Sequence, residues 1–178
     1  MNSKPEARSR YGLGPNGVRS AYLDIETTGL SPEYSELTVI GIGLDAGTHI
    51  EVIQLIEGEI NRTRVLEILD GIDRVYTYNG ARFDLPFIRA KLRIHIAGQL
   101  EHRDLMHECH ARDLHGGLKG VERKLGIPRK LKGINGRAAV DLWYRYINAG
   151  DEDALKLLLA YNREDVVNLR ELRRKLGA

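Results

Sequence analysis

Cysteine is almost absent from this chain: Cys109 stands alone among 178 residues. No internal disulfide can form, which excludes the disulfide-stapled secreted scaffolds. Long hydrophobic runs are missing too, and no stretch approaches the ~18 consecutive apolar residues of a membrane span. Met1 to Arg10 is polar and charged where a secretory leader would carry an apolar core. The expectation is a protein of a reducing, cytoplasmic setting with no membrane partner. Internal repeats and low-complexity tracts are also lacking. What is present, 42% hydrophobic and 29% charged residues, is the balance of a folded globule and not of a disordered or fibrous chain.

Net charge is small, +2 from 27 basic and 25 acidic residues, but it is unevenly placed. Between Lys119 and Arg137 lie seven basic residues (Lys119, Arg123, Lys124, Arg129, Lys130, Lys132, Arg137) and one acid, Glu122. That segment carries +6, so the rest of the chain sums to −4. Such concentration suits a polyanion-facing patch, with Arg129, Lys130 and Lys132 as its phosphate contacts; a merely solvated charged face is the alternative.

The pattern of the chain predicts an α/β fold with a sheet of mixed direction. Residues 1–18, rich in glycine and without a hydrophobic period, read as a loose arm before one domain over 19–178. Arg19 to Thr27 reads as a strand with Ala21, Leu23 and Ile25 on one face. Leu37–Leu44 and His49–Ile56 read as strands joined at the Asp45-Ala46-Gly47 turn. Glu59–Leu69 has helical spacing, Arg74–Tyr78 is a further strand, and a helix begins near Asp84. Leu118–Leu125 is a short helix closed by Gly126 and Pro128. Residues 129–136 read as a mobile basic loop and Ala138–Asn148 as a helix. A last helix is capped by Asp151 and striped by Leu155, Leu158, Leu159, Val166, Leu169 and Leu172.

Four carboxylates stand out. Residues two apart on a strand share a face, so Asp24 and Glu26 present two acids side by side. Two like charges this close raise one pKa unless a cation lies between them, and oxygen-only ligands select a hard divalent ion, Mg²⁺ or Mn²⁺. Two solvated acids on an edge strand are the plainer alternative. Asp84 closes Asn79-Gly80-Ala81-Arg82-Phe83-Asp84 between a strand and a helix, where it is either a cap or a site residue. Tyr161 and Asp165, four apart in the last helix, share a face bordered by Leu158 and Leu169 and should point inward. An inward acid must be paired or hold a metal. Glu164, about 100° around that helix, is expected to be solvated.

Asp24-x-Glu26, Asn79-x-x-x-Phe83-Asp84 and Tyr161-x-x-x-Asp165, in this order, resemble the three motifs of the DEDD superfamily of 3′–5′ exonucleases. The tyrosine resembles that of the DEDDy division, on a ribonuclease H-like mixed sheet flanked by helices. The Asp24–Leu30, Lys119–Gly126 and Leu142–Leu169 stretches are also similar to YprB-type ribonuclease H-like proteins. The resemblance spans about residues 19 to 172. It implies a metal-dependent 3′–5′ exonuclease that hydrolyses phosphodiester bonds of single-stranded or 3′-ended DNA or RNA with two ions, Mg²⁺ or Mn²⁺. Asp24, Glu26 and Asp165 would hold one ion, Asp24 would bridge to a second supported by Asp84 through water, and Tyr161 would orient the attacking water. Thr27 and Leu30 match positions that contact the terminal nucleotide, and Asn79 falls in the substrate-facing motif. A nucleic-acid-binding module of low activity and a structure-specific endonuclease are the alternatives on the same fold.

Other features compete for attention. His107, Cys109, His110 and His115 look like a zinc cluster, but His107 and His110 share a helical face that Cys109 leaves, and no second cysteine pair completes a set. Asp104 follows a strand-like segment, with a structural role and an approach to the acids both open. Asp141 reads as a surface or capping acid. Trp143, Tyr144 and Tyr146 read either as a base-stacking platform or as the core face of a helix.

Overall fold

A computed structural model of the protein describes residues 17–178. The expected arm at 1–18 lies outside the described residues but for its last two. Five strands form one sheet in the order β3-β2-β1-β4-β5. They are β1 (Ser20–Thr27), β2 (Leu37–Asp45), β3 (Ile50–Ile56), β4 (Arg74–Thr77) and β5 (Glu101–Asp104). β1, β2 and β3 pair antiparallel, whereas β4 runs parallel to β1 and β5 parallel to β4. Direction is therefore mixed, as expected, and β1 lies at the centre.

Among the described residues six α-helices flank the sheet: α1 (Arg62–Leu69), α2 (Asp84–Leu92), α3 (Leu105–His110), α4 (Leu118–Leu125), α5 (Gly136–Ala149) and α6 (Glu152–Leu176). α1 begins three residues later than its hydrophobic spacing suggests, because the Asn61 side chain caps it by accepting from Arg64 N at 2.9 Å. Asn135 likewise starts α5 ahead of the expected Ala138, accepting from Ala138 N at 3.0 Å. Asp151 caps α6 through Ala154 N at 2.9 Å.

Strand alternation divides the core in two. Ala21, Leu23 and Ile25 join Ile40, Ile42, Val65, Phe87 and Ile88 beneath α1 and α2. Tyr22 points the other way, into a second cluster with Tyr76, Leu105, Val121, Val166, Leu169 and Leu172. α6 crosses that second face. The side of β1 that bears Tyr22 also bears Asp24 and Glu26, so both acids are aimed at α6.

Two polar ties fix where α6 lies along the sheet. Near its C-terminal end, Arg170 Nε donates to the buried Asp45 at 3.1 Å, and Arg173 donates to Tyr22 Oη at 3.0 Å. Tyr22 Oη in turn donates to Asp45 at 3.1 Å. Near its middle, Gln54 donates to Asn162 Oδ1 at 2.8 Å, and Asn162 Nδ2 donates to the Asp24 carboxylate at 3.0 Å. These buried groups are satisfied only in one axial register.

Close approach of α6 to β2 requires glycine. A Cβ on Gly41 would lie 2.8 Å from Val166 Cγ2 and would also strike Asn162. We expect Gly41→Ala to destabilise the fold by ~1–3 kcal/mol in urea unfolding, the range of core overpacking. Unchanged stability would mean that α6 stands off the sheet more loosely than this packing requires.

Candidate functional site

Asp24 and Glu26 lie at the C-terminal end of β1, where the pairing with β2 slips register between Glu26 and Thr27. Irregularity of this kind re-aims side chains at strand ends. α6 brings Asp165 against them. Asp24, Glu26 and Asp165 each offer a carboxylate oxygen, and these oxygens lie within 4.8 Å of one another. Among the described residues this is the one group of three or more ligating side chains close enough to share an ion. Glu26 and Asp165 are 7% and 5% exposed, and Asp24 and Asp165 open onto a cleft of about 260 Å³ lined also by Tyr78, Gly117, Leu118, Lys119 and Tyr161.

Asp84 stands beside this trio. It is buried at the start of α2, and its Oδ1 accepts from Ile25 N at 3.1 Å, between the two acids of β1. The turn that delivers it is held by Asp104, whose carboxylate accepts from Asn79 N at 2.7 Å, Ala81 N at 3.0 Å and Met106 N at 3.1 Å. Asp104 is thus a structural acid. Asn79 takes a left-handed φ of 62° to begin the turn, a conformation asparagine tolerates.

Burial raises the pKa of every member of the set. Asp24 and Glu26 are pushed well above the usual carboxylate range, by loss of water first and then by Asp165 and the neighbouring acids. Asp84 is pushed up to about 7 by burial, against its backbone hydrogen bonds. Asp165 is raised by burial although Arg129 and Lys119 pull it down. Tyr161 is raised by burial and then by Asp165, so its hydroxyl stays protonated.

Two cations of the basic segment turn inward. Lys119 Nζ donates to Tyr161 Oη at 2.9 Å and to Ile134 O, and lies 4.3 Å from the Tyr161 ring centre. Arg129 forks onto Glu122, with Nε and one terminal nitrogen each at 2.8 Å, and the same terminal nitrogen reaches Asp165. Glu122 is 2% exposed and also accepts from Asn168 at 3.0 Å.

Here the structure differs from the expectation of a loose basic loop: of the three cations expected to contact phosphate, Arg129 is an internal ion-pair partner, whereas Lys130 and Lys132 face solvent. Glu164 is likewise not solvated. It accepts from Lys130 N at 2.5 Å and Leu131 N at 3.2 Å, fastening the segment after α4. The sequence placed Lys119 and Glu122 in the basic segment but gave neither them nor Asn162 a place beside the acids. Glu122 did leave a signal, since Leu118, Val121, Glu122 and Leu125 form one helical stripe and a charge on such a stripe must be paired.

The remaining sequence candidates fall as follows. Thr27 ends β1, and its Oγ1 donates to Gly29 O at 2.7 Å. Leu30, on the loop after β1, is 87% exposed, and Tyr34 on the same loop is 82% exposed. Cys109 is buried, which pushes its thiol up to about 11, and among the described residues it belongs to no group of three ligating side chains close enough to share an ion. Trp143 packs partly into the cluster of Val39, Leu142 and Leu158, while Tyr144 is exposed. No helix among the described residues is long and apolar enough to cross a membrane.

Residues 21–177 match the family RNase_H_2, described as RNase_H superfamily, and the chain belongs to it. The uncharacterized protein MJ0365 of Methanocaldococcus jannaschii is 27% identical over 169 residues, covering 87% of this chain and 93% of its own. Among solved structures, the family B DNA polymerase of the archaeon Pyrobaculum calidifontis has a TM-score of 0.69 at 19% identity. The match covers 92% of this chain, which spans only a quarter (25%) of the polymerase. Brucella melitensis NrnC has a TM-score of 0.60 at 19% identity, covering 94% of this chain and 78% of its own. NrnC structures include one bound to pGG and one with bound Mg²⁺. At these identities the likeness is one of fold, the ribonuclease H-like one.

The electrostatics predict an inverted pH profile for the metal-free protein. For an acid raised in the folded state, the stabilisation is full below the unfolded pKa, near 3.8 for Asp84, and is lost as pH rises through about 7. Without divalent ions, the melting temperature should fall as pH rises across that window, and Mn²⁺ should restore it at the upper end. Asp24→Asn keeps an acceptor for Asn162 and removes one charge, so it should melt several degrees higher than wild type without metal at pH 8. Scanning calorimetry with and without EDTA checks both; a profile flat in pH would overturn the account.

Proposed function

We propose that this chain is a DEDDy-type, metal-dependent 3′–5′ exonuclease that releases nucleotides from single-stranded or 3′-ended DNA or RNA, and that residues 19–178 form a single YprB-like nuclease domain. The observation that carries this reading is the convergence of Asp24, Glu26 and Asp165 within 4.8 Å, beside a cleft that Asp24, Asp165 and Tyr161 line. Buried acids with raised pKa values and no ion are destabilising, and an arrangement of oxygen ligands alone fits Mg²⁺ or Mn²⁺. Binding of Mg²⁺ and of pGG by the similarly folded NrnC supports the same metal and substrate class.

Asp24, Glu26 and Asp165 would hold one ion, and Asp24 with Asp84 would serve a second. Divalent ions so held polarise a phosphodiester and lower the pKa of an attacking water. The protein's own groups do the rest. Burial, and then the neighbouring Asp165, keep the Tyr161 hydroxyl neutral, so it would position a water by hydrogen bonding and not act as a base. Lys119 donates to Tyr161 Oη and thereby fixes the direction in which the hydroxyl proton points.

Substrate contacts surround this centre. Leu30 is presented to solvent by a loop closed through Thr28 N to Glu36 O at 3.0 Å and Glu36 N to Thr28 Oγ1 at 2.9 Å. It suits a wedge against the terminal base, with Thr27 and Asn79 at the adjoining strand ends. Lys130 and Lys132, exposed on the segment fastened by Glu164, suit phosphate contacts.

The test is digestion of end-labelled single-stranded DNA and RNA with Mg²⁺ or Mn²⁺. We expect stepwise shortening from the 3′ end and no cleavage of a circular strand. Cutting of the circle would favour an endonuclease, and binding without cleavage a binding module. Asp24→Asn or Asp84→Asn should abolish turnover with the fold intact; activity of both within threefold of wild type would sink the metal-site assignment.

Tyr161→Phe should cost ~10- to 1,000-fold in turnover, the range for a positioned catalytic group, with little change in melting temperature. A stability loss with unchanged turnover would make Tyr161 a core residue only. Lys130→Gln with Lys132→Gln should flatten the salt dependence of single-strand binding by about 1.4 in log–log slope, two phosphate contacts' worth. An unchanged slope would leave the two lysines as solvated surface charges.

A further inference from the structure

We propose that Arg129 competes with a divalent ion for Asp165, so that it holds the third carboxylate in the metal-free protein and sets the metal affinity of the site. This rests on the metal-site reading above. Arg129 sits after α4, 11% exposed in its side chain, among three acids. Its fork on Glu122 is made by two nitrogens at 2.8 Å each. One of those nitrogens also contacts Asp165 Oδ1, and the remaining one lies 3.5 Å from Glu164 without a hydrogen bond.

Only Asp165, of these three acids, belongs to the trio with Asp24 and Glu26. A dication shared by that trio would face the guanidinium across the same carboxylate, and like charges at that separation repel strongly in a water-poor site. Arg129 can yield without leaving. Its two bonds to Glu122 do not involve Asp165, and its other terminal nitrogen lies 3.5 Å from Glu164, so the guanidinium keeps acidic partners when Asp165 is released. The backbone around it is held independently, by Lys130 N and Leu131 N on Glu164. The exchange is therefore a turn of the Asp165 carboxylate away from a guanidinium that stays forked on Glu122. Lys119 is not a rival of the same kind, because its ammonium is directed to Tyr161 Oη and Ile134 O.

A purely structural role for Arg129 predicts the opposite sign from competition. Removing a structural brace loosens Asp165 and weakens metal binding; removing a competitor tightens it. Arg129→Met alone would strand the buried Glu122, a costly change, so the informative variant pairs it with Glu122→Gln, whose amide oxygen still accepts from Asn168.

The measurement is calorimetric titration of the full chain with Mn²⁺ alone at pH 8. We expect the double variant to bind Mn²⁺ on the order of tenfold more tightly than wild type. Arg137→Gln, an exposed charge of the same segment, should change affinity less than twofold. Equal or weaker binding by the double variant overturns the proposal. Should that variant not fold, Arg129→Lys replaces it: a single ammonium on Glu122 lacks the fork that spans to Asp165, so affinity should again rise, and unchanged or weaker binding again refutes competition. Wild-type protein that takes up no Mn²⁺ overturns the metal-site reading itself, and this inference with it.

Discussion

Mutual repulsion among Asp24, Glu26 and Asp165 is the constraint around which the rest of this structure is arranged. Three acids with oxygens within 4.8 Å and little access to water cannot all be charged at low cost. Each is nonetheless fixed by elements that have no freedom to yield. Strand alternation puts Asp24 and Glu26 on the same side of β1 as buried Tyr22. Asp165 is delivered by a 25-residue helix whose position is locked by Asp45 at one end and by Gln54 and Asn162 near its middle. Asn162, Lys119 and Arg129 then partly compensate what the geometry imposes.

Sheet topology explains why the fourth acid and its supports arrive at the same edge. β1, β4 and β5 are parallel, so their C-terminal ends lie together. One end supplies Asp24 and Glu26, the next leads into the turn that ends at Asp84, and the third supplies Asp104, which holds that turn by three backbone donors. Open α/β sheets place their functional loops at such an edge because connections leave there free of the strand ladder. The exposed Leu30 and Tyr34 are on the loop from this same edge.

Much of this was legible in the sequence, and for a physical reason. Period-two and period-3.6 patterns report burial directly, which is how β1, α4 and α6 could be read along with the inward face of Tyr161 and Asp165. Boundaries slipped where a side-chain cap overrode hydrophobic spacing, as at Asn61 and Asn135. The inward turn of Lys119 and Arg129 was not legible, because a basic side chain is long enough to face either way and its direction is decided by partners remote in sequence. Glu164 illustrates the same limit: its angle around α6 suggested solvent, but the segment after α4 folds back and covers it.

The charge inventory of the site leads one step further. Asp24, Glu26, Asp84, Asp165, Glu122 and Glu164 face Lys119 and Arg129, a deficit of four positive charges when every acid is ionised. Protons and divalent ions are the two kinds of occupant that can make up that deficit. Burial raises the pKa of Asp24, Glu26, Asp165 and Asp84, the last up to about 7, so protons make up part of it in the absence of metal. An ion that binds must therefore displace protons as well as the Arg129 contact on Asp165. Metal uptake and proton release are two sides of one equilibrium here, and the apparent affinity for the ion rises with pH through the range in which the acids ionise.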